Sequence, residues 1–388
     1  MKEGVIRFWA NPKIRSAFFQ TAALLAVVVI VSIIGHNTVI NLQRQGVASG
    51  FDFLGKTAGF DIIQHLIPYS EQDSYGRAFF VALMNTLVVS VIGVGLATVL
   101  GFILGLARLS QNWLVARLAL VYIEIVRNVP LLLQLFFWYF AVLRSLPSAK
   151  DSYAVFDIIF LNIRGLYVPS PVALEGFRYV AVMAGSLAIG AMLWIRKVGR
   201  QRYDTGSGPP AVRISLAAMT VLLLVAYLAL DKPLAWESPV LRGFNFVGGL
   251  SLLPELVALL LALTIYTAAF IAEIVRAGIL SVSRGQWEAA LSLGLSRGQT
   301  LRQVVLPQAM RVIVPPMTSQ YLNLTKNSSL AAAIAYPDLV LVFAGTVLMQ
   351  TGQAVEVIAM TMAVYLTISL AISWGMNRYN RSMAIVER

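Results

Sequence analysis

The chain has 388 residues, of which 58% are hydrophobic and only 12% are charged. Soluble domains carry about a quarter charged residues, so this composition excludes a soluble protein and predicts one that crosses a membrane several times. The net charge of +12 does not indicate a nucleic-acid partner, because the basic residues cluster at the ends of apolar runs, where they orient spans.

The composition also argues against catalysis and metal binding. The sequence contains no cysteine, which excludes disulfides, thiolate metal sites and cysteine nucleophiles. Its two histidines, His36 and His65, are interpreted as isolated loop residues, and no candidate base lies near a serine. We therefore expect no catalytic residues, no metal site and no cofactor held by this chain.

The first elements are a basic tail, a span and a polar loop. Residues 17–34 form an apolar run of eighteen, long enough to cross a membrane. No A-x-A cleavage pattern follows it, so a permanent span is expected rather than a signal peptide. In the loop, residues 50–57 match the phosphate-loop pattern G-x-x-x-x-G-K-[ST], but two phenylalanines crowd the would-be cradle and nucleotide binding is not expected.

The second and third spans are predicted at residues 79–107 and about 114–143. Glu124 and Arg127, three residues apart in the third span, can pair on one helix face. Pro130 lacks the amide that would bond the carbonyl four residues earlier, which predicts a kink at membrane depth.

Residues 145–250 are predicted to be an insertion with two further spans and a basic cytosolic turn between them. A sixth span covers 252–277, and its E-I-V-R tetrapeptide also occurs at Glu124, which is compatible with a weak inverted repeat. Residues 312–335 are broken by Pro315 and Pro316 and carry Lys326, which suits the wall of a watery path better than a lipid-facing helix. The last span is expected at 355–374.

A polar segment at 283–307 lies between two apolar runs and predicts two small helices. Two S-x-x-Q patterns, beginning at Ser283 and Ser296, predict capping boxes at their starts. Gly294 is expected to end the first helix and Pro307 the second. Trp287, Ala290, Leu291 and Gly294 fall on one apolar face, beside Glu288, which suits a groove on a partner.

The spacing in this segment resembles the EAA loop of ABC importer permeases, the coupling helix that sits in a cleft of the ATPase subunit. Its E-A-A is followed by three residues, a glycine, eleven residues and L-P. The resemblance implies an ATPase-coupling role for Glu288, Ala289, Ala290, Gly294, Leu306 and Pro307.

The third span adds a second resemblance. Residues 122–134 resemble the Y-x-E-x-x-R-[GN]-x-P-L-L-x-Q pattern of polar amino acid permeases. Together with residues 266–286 and the loop, the resemblance covers about 78–144 and 250–380. The extra first span and the inserted pair resemble the larger general L-amino acid permeases. At residues 326–330 smaller members commonly carry Asp where this chain has Asn327, which weakens the case for a narrowly cationic substrate.

The resemblance implies an all-α membrane protein of about eight transmembrane helices, in which a five-helix type I importer core carries an N-terminal span and an inserted helix pair. We divide it into 1–77 (tail, first span, external loop), 78–144 (first part of the core), 145–250 (insertion) and 251–388 (second part of the core). The implied partners are two ATPase subunits that hold ATP and Mg, a second homologous permease giving a heterodimer, and an external solute-binding protein.

Basic residues predict the orientation of the chain in the bacterial cytoplasmic (inner) membrane. With the N-terminus in the cytosol, nineteen of the 30 Lys and Arg residues fall in cytosolic segments and nine in external ones. This bias predicts that both termini and the loop at 283–307 are cytosolic.

A zwitterionic amino acid needs a cation for its carboxylate and an acceptor or anion for its ammonium. The candidates for the translocation path or substrate are Glu124, Arg127, Asn128, Gln134, Glu273, Lys326, Ser328 and Ser329. Alternatively, the Glu124–Arg127 and Glu273–Arg276 pairs only tie helices together near the cytosolic surface.

The function predicted from the sequence is the permease subunit of an ATP-driven importer, which forms a path for L-amino acids and couples it to a separate ATPase. An ion-gradient-driven secondary transporter and a non-transporting membrane scaffold are the alternatives. Copurification with an ATPase would exclude the secondary transporter. Flux of amino acids in proteoliposomes would exclude the scaffold.

Overall fold

The computed structural model describes residues 12–44, 50–205 and 209–383. Most of the predicted basic tail, including Lys2 and Arg7, lies outside the described residues. The chain divides into two compact units, which we name the core unit (residues 1–132 and 262–388) and the insert unit (residues 133–261).

Helices make up most of the described chain. They are α1 (Pro12–Arg44), α2 (Tyr75–Arg108), α3 (Trp113–Asn128), α4 (Leu131–Phe136), α5 (Phe177–Thr205), α6 (Ala211–Ala229), α7 (Pro254–Leu280), α8 (Arg284–Ser292), α9 (Arg297–Thr300), α10 (Leu306–Asn327), α11 (Val340–Thr351) and α12 (Ala354–Met383). A π-helical turn, Leu301–Val305, joins α9 to α10, and a 3-10 helix, Ser328–Ile334, follows α10.

Six described helices are long and apolar enough to cross a membrane, namely α1, α2, α5, α6, α7 and α12. A seventh span results if α3 and Leu131–Ser145 are taken together, although they are bent by 105° at the break between them. The break falls at Val129–Pro130, so the kink predicted at Pro130 is confirmed. The remaining predicted span, 312–335, overlaps α10, which is not among these six helices.

The insert unit contains short strands that the sequence did not predict. They are β1 (Tyr153–Val155), β2 (Ile159–Asn162), β3 (Gly165–Val168), β4 (Ser170–Ala173), β5 (Leu234–Glu237), β6 (Val240–Arg242), β7 (Asn245–Val247) and β8 (Leu250–Leu252). One antiparallel sheet has the order β1-β2-β3-β8, and β4–β5 and β6–β7 form two ribbons. The pairing of Leu166 with Leu252 fixes the chain just before α7 begins.

Small residues let the helices of the core unit approach closely. Gly93, Ala97, Gly101 and Gly105 recur every four residues along α2 and are all buried. A Cβ atom on Gly105 would lie 2.8 Å from the carbonyl oxygen of Ala272 on α7. Without a strong hydrophobic force between helices in lipid, such close backbone contact is a main source of their association.

The loop before α2 packs against the other elements of the core unit through apolar side chains. Phe53, which lies in the segment that matches the phosphate-loop pattern, is 2% exposed. Its ring lies 6.2 Å from those of Tyr75 and Phe343. The Gly50 amide donates a hydrogen bond to Glu356 Oε1 at 2.7 Å. These contacts give the segment a packing role.

Hydrogen bonds also hold the same loop in place. The side-chain amide of Asn85, ten residues into α2, donates to the carbonyls of Gln64 at 2.7 Å and Pro337 at 2.9 Å. The Tyr69 hydroxyl donates to the Phe60 carbonyl at 3.0 Å, and burial raises the pKa of Tyr69 to about 12, with help from nearby Asp73. The loop is therefore anchored along several turns of α2.

Candidate coupling loop and translocation path

Of the two capping boxes predicted for the loop at 283–307, the one at Ser296 forms and the one at Ser283 does not. Ser296 Oγ accepts from the Gln299 amide at 3.3 Å, and Gln299 Oε1 accepts from the Ser296 amide at 2.9 Å. At the start of α8, however, Ser283 makes no side-chain cap. Gln286 instead accepts a hydrogen bond from the Gln308 side chain at 3.1 Å, because the fold brings the start of α10 beside α8.

Gly294 ends α8 as predicted. Its φ is +82°, a left-handed conformation that glycine adopts without a steric penalty. The Gly294 and Leu295 amides donate to the carbonyls of Leu291 at 2.9 Å and Ala290 at 3.3 Å. These bonds close the helix and turn the chain toward α9.

The prediction that Pro307 ends the second helix was wrong. The helical path runs from α9 through the π-helical turn into α10, and Pro307 lies in the first turn of α10. Proline is well tolerated there, because the first amides of a helix have no partner within it. Leu306 and Pro307 therefore begin the long helix that carries Lys326.

The outward face of α8 also differs from the predicted one. Ala290 is only 3% exposed and packs inside the core unit, whereas Leu293 is 83% exposed. Glu288, Ala289 and Leu291 are exposed as well. We name Glu288, Ala289, Leu291 and Leu293 the coupling surface. It exposes one carboxylate and two leucines.

The pair predicted between Glu124 and Arg127 does not form. The Arg127 guanidinium instead lies over the Phe270 ring of α7, 5.2 Å from its centroid. The side-chain amide of Asn128 donates to the Glu124 backbone carbonyl at 2.7 Å, and the Glu124 side chain is exposed. The third-span motif thus holds α3 against α7 in the core unit.

Tyr122 contributes to the same junction between α3 and α7, since its hydroxyl donates to the Ile265 carbonyl at 2.9 Å.

The second predicted pair, between Glu273 and Arg276 on α7, does form. Arg276 Nε lies 3.1 Å and 3.0 Å from the two carboxylate oxygens of Glu273. Both members belong to one helix, so this pair does not join two helices as the alternative interpretation required.

A groove in the core unit surrounds Lys326. It has a volume of about 460 Å³, within the range of small-molecule sites. We name it the Lys326 groove. It is lined by Lys326, Ser329, Val340, Thr361, Met362, Tyr365, Leu366 and Ser369.

The groove brings together only two of the predicted path residues, Lys326 and Ser329. Ser328 is 1% exposed, and its hydroxyl donates to the Thr325 carbonyl at 2.7 Å instead of facing the groove. Gln134 is buried within the insert unit.

Sequence reasoning missed the wall that α12 contributes. Thr361, Tyr365 and Ser369 line the groove and recur every four residues. This spacing places them on one face of a helix and was the available signal. Behind them the Tyr365 hydroxyl points to Asp338 Oδ2 at 3.4 Å, and the Asp338 side chain is 1% exposed.

The sequence of this chain matches those of known membrane transport proteins. Residues 97–385 match the family described as binding-protein-dependent transport system inner membrane component. A putative amino-acid ABC transporter permease protein, YhdX of Escherichia coli, is 56% identical over 385 residues, 98% of this chain and 97% of that protein.

Two further relatives match over nearly their full lengths. The general L-amino acid transport system permease protein AapQ of Rhizobium johnstonii is 45% identical and covers 97% of this chain and 94% of its own length. The glutamate/glutamine/aspartate/asparagine transport system permease protein BztB of Rhodobacter capsulatus is 42% identical, with shares of 97% and 96%. The chain therefore belongs to the family of binding-protein-dependent transport system inner membrane components and is a permease of an ABC importer.

Proposed function

We propose that this chain forms the translocation path for L-amino acids in an ATP-driven importer and couples that path to a separate ATPase. The observation that carries the coupling role is the coupling surface, which presents Leu293 at 83% exposure in a segment with the EAA-loop spacing. The amino acid substrate is supported by the names of the relatives that match almost the whole chain.

The proposed assembly contains two ATPase subunits, a second homologous permease, giving a heterodimer, and an external solute-binding protein. ATP and Mg are held by the ATPase subunits, and this chain needs no cofactor. Both termini and the coupling surface lie in the cytosol, on the side where ATP is available.

The mechanism follows from the continuity of the loop with α10. Closure of the ATPase subunits around ATP pushes on α8 through the coupling surface. The Gln286–Gln308 hydrogen bond and the buried side chains of Ala290, Val305 and Ala309 pass this movement to α10. Because α10 carries Lys326, the movement alters the groove and rocks the path between outward and inward openings.

Cross-linking tests the coupling role directly, because a chain without cysteine allows single labels. In membranes that contain the whole importer, we expect Leu293→Cys to cross-link to a nucleotide-hydrolysing subunit. Ala290→Cys, which replaces a side chain only 3% exposed, is the matched control and should cross-link far less. Labelling of Leu293→Cys from the outer face, or the absence of any ATPase cross-link, would refute the proposal and favour a secondary transporter.

Neutralising Lys326 tests the path. We expect Lys326→Met to lower uptake at least about tenfold, because a substrate carboxylate loses a charge-assisted hydrogen bond worth roughly 1.5 to 3 kcal/mol. The same subunits should still copurify with the variant. Lys56→Met, in the exposed loop before α2, is the control. Normal uptake by Lys326→Met would make Lys326 a structural residue.

A further inference from the structure

The charge of the Lys326 groove indicates which amino acids can occupy it. No carboxylate lines the groove, and no carboxylate of the described residues forms an ion pair with Lys326. Lys326 is exposed, so its ammonium is open to a ligand. The groove therefore presents a positive charge with no counter-charge among its lining residues, and an anionic group of a ligand would supply one.

The hydroxyl groups of the groove supply hydrogen-bond acceptors for a positively charged group of a ligand. Ser329 Oγ donates its proton to the Lys326 carbonyl at 2.7 Å, and Thr361 Oγ1 donates to the Val357 carbonyl at 2.8 Å. With these protons engaged, both oxygens can only accept hydrogen bonds from a ligand. An α-ammonium fits such acceptors, while the α-carboxylate fits Lys326.

Three carboxylates of the core unit are engaged elsewhere. Asp338 lies behind Tyr365, accepts the Leu341 amide at 2.8 Å and is 1% exposed. Glu356 accepts the Gly50 amide, and Glu273 pairs with Arg276. None of these groups lines the groove, so no negative charge there would balance a positively charged side chain of a substrate.

Building on the function proposed above, we infer that the Lys326 groove binds L-amino acids with acidic or uncharged side chains and rejects those with cationic side chains. With the α-carboxylate at Lys326 and the α-ammonium at the hydroxyl oxygens, no carboxylate lining the groove remains to pair with a cationic side chain, and the Lys326 ammonium repels one. At the effective dielectric constant typical of charges near a protein surface, this difference is several times larger than in bulk water. The apolar wall of Met362 and Leu366 contacts the aliphatic part of the side chain.

Equilibrium binding tests this selectivity. The importer would be purified with the subunits that accompany the chain and without a solute-binding protein, then reconstituted in nanodiscs. Binding of radiolabelled L-glutamate, L-glutamine and L-lysine would be measured for the wild type, Lys326→Glu, Thr361→Val and Lys56→Met. We expect the wild type and Lys56→Met to bind glutamate at least about tenfold more tightly than lysine.

Each variant has its own expected result. Lys326→Glu should reverse the order of glutamate and lysine. Thr361→Val keeps the charge and should weaken all three ligands about equally, so it remains informative if Lys326→Glu fails to assemble. Equal wild-type affinity for glutamate and lysine, an order that Lys326→Glu leaves unchanged, or no binding of any amino acid would overturn the inference. ATP-driven uptake of amino acids by the same importer, measured in parallel with its solute-binding protein, shows separately whether the proposed function holds.

Discussion

Replacing Gly294 with valine is expected to abolish ATP-driven uptake while leaving the chain inserted in the membrane. Gly294 has a φ of +82°, and a β-branched residue in this region is strained by roughly 1 to 3 kcal/mol. The turn after α8 should relax to a different conformation and move Leu293 out of place. ATP hydrolysis by the partner subunits should then continue without transport. The measurement is the ratio of transported amino acid to hydrolysed ATP in proteoliposomes.

Gly298 provides the control in the same loop. It lies in α9 with a negative φ, and a Cβ atom there meets no heavy atom within 4 Å. Gly298→Ala should keep the ratio of the wild type. Unchanged uptake by Gly294→Val would contradict the role of α8 as the element that transmits movement from the ATPase.

Replacing Gly105 with alanine is expected to destabilise the core unit by about 1 to 3 kcal/mol, the typical cost of overpacking. The added Cβ atom would lie 2.8 Å from the backbone carbonyl oxygen of Ala272 and 2.8 Å from Val275 Cβ. A backbone atom cannot rotate away as a flexible side chain can, so α2 and α7 must separate. Thermal inactivation of the purified importer in detergent should show a lower midpoint for Gly105→Ala.

Gly95 on the same helix is the matched position. It is exposed, and a Cβ atom there meets no heavy atom within 4 Å. Gly95→Ala should leave the midpoint unchanged or raise it slightly, since alanine is favoured over glycine in a helix by about 1 kcal/mol. Equal midpoints for Gly105→Ala and the wild type would show that the close contact of α2 with α7 does not limit stability.

The two predictions concern the turn that ends α8 and the close contact between α2 and α7. The start of α8 is joined to the start of α10 by the Gln286–Gln308 hydrogen bond, and α10 packs on α2, where Leu324 meets Gly93. A rigid junction of small residues transmits displacement better than a loose one, because packed helices have discrete arrangements. In the proposed mechanism, a movement that begins at Glu288 reaches the groove around Lys326 by this route.

Local properties of the sequence determined the spans, the kink at Pro130, the left-handed turn at Gly294 and the capping box at Ser296. A span depends on an apolar run of about twenty residues and each of the other features on residues within about four positions of one another, so the local sequence is sufficient. The tertiary structure alone decided that Ala290 is buried while Leu293 is exposed, and that Arg127 contacts Phe270 instead of Glu124.

These outcomes depend on which helices lie beside each other, and residues distant in sequence set that arrangement. The strands of the insert unit escaped prediction for a related reason, because three or four largely exposed residues show no clear alternation. The Lys326 groove also needed the fold, since it joins α10 to polar residues of α12 that lie more than thirty positions away.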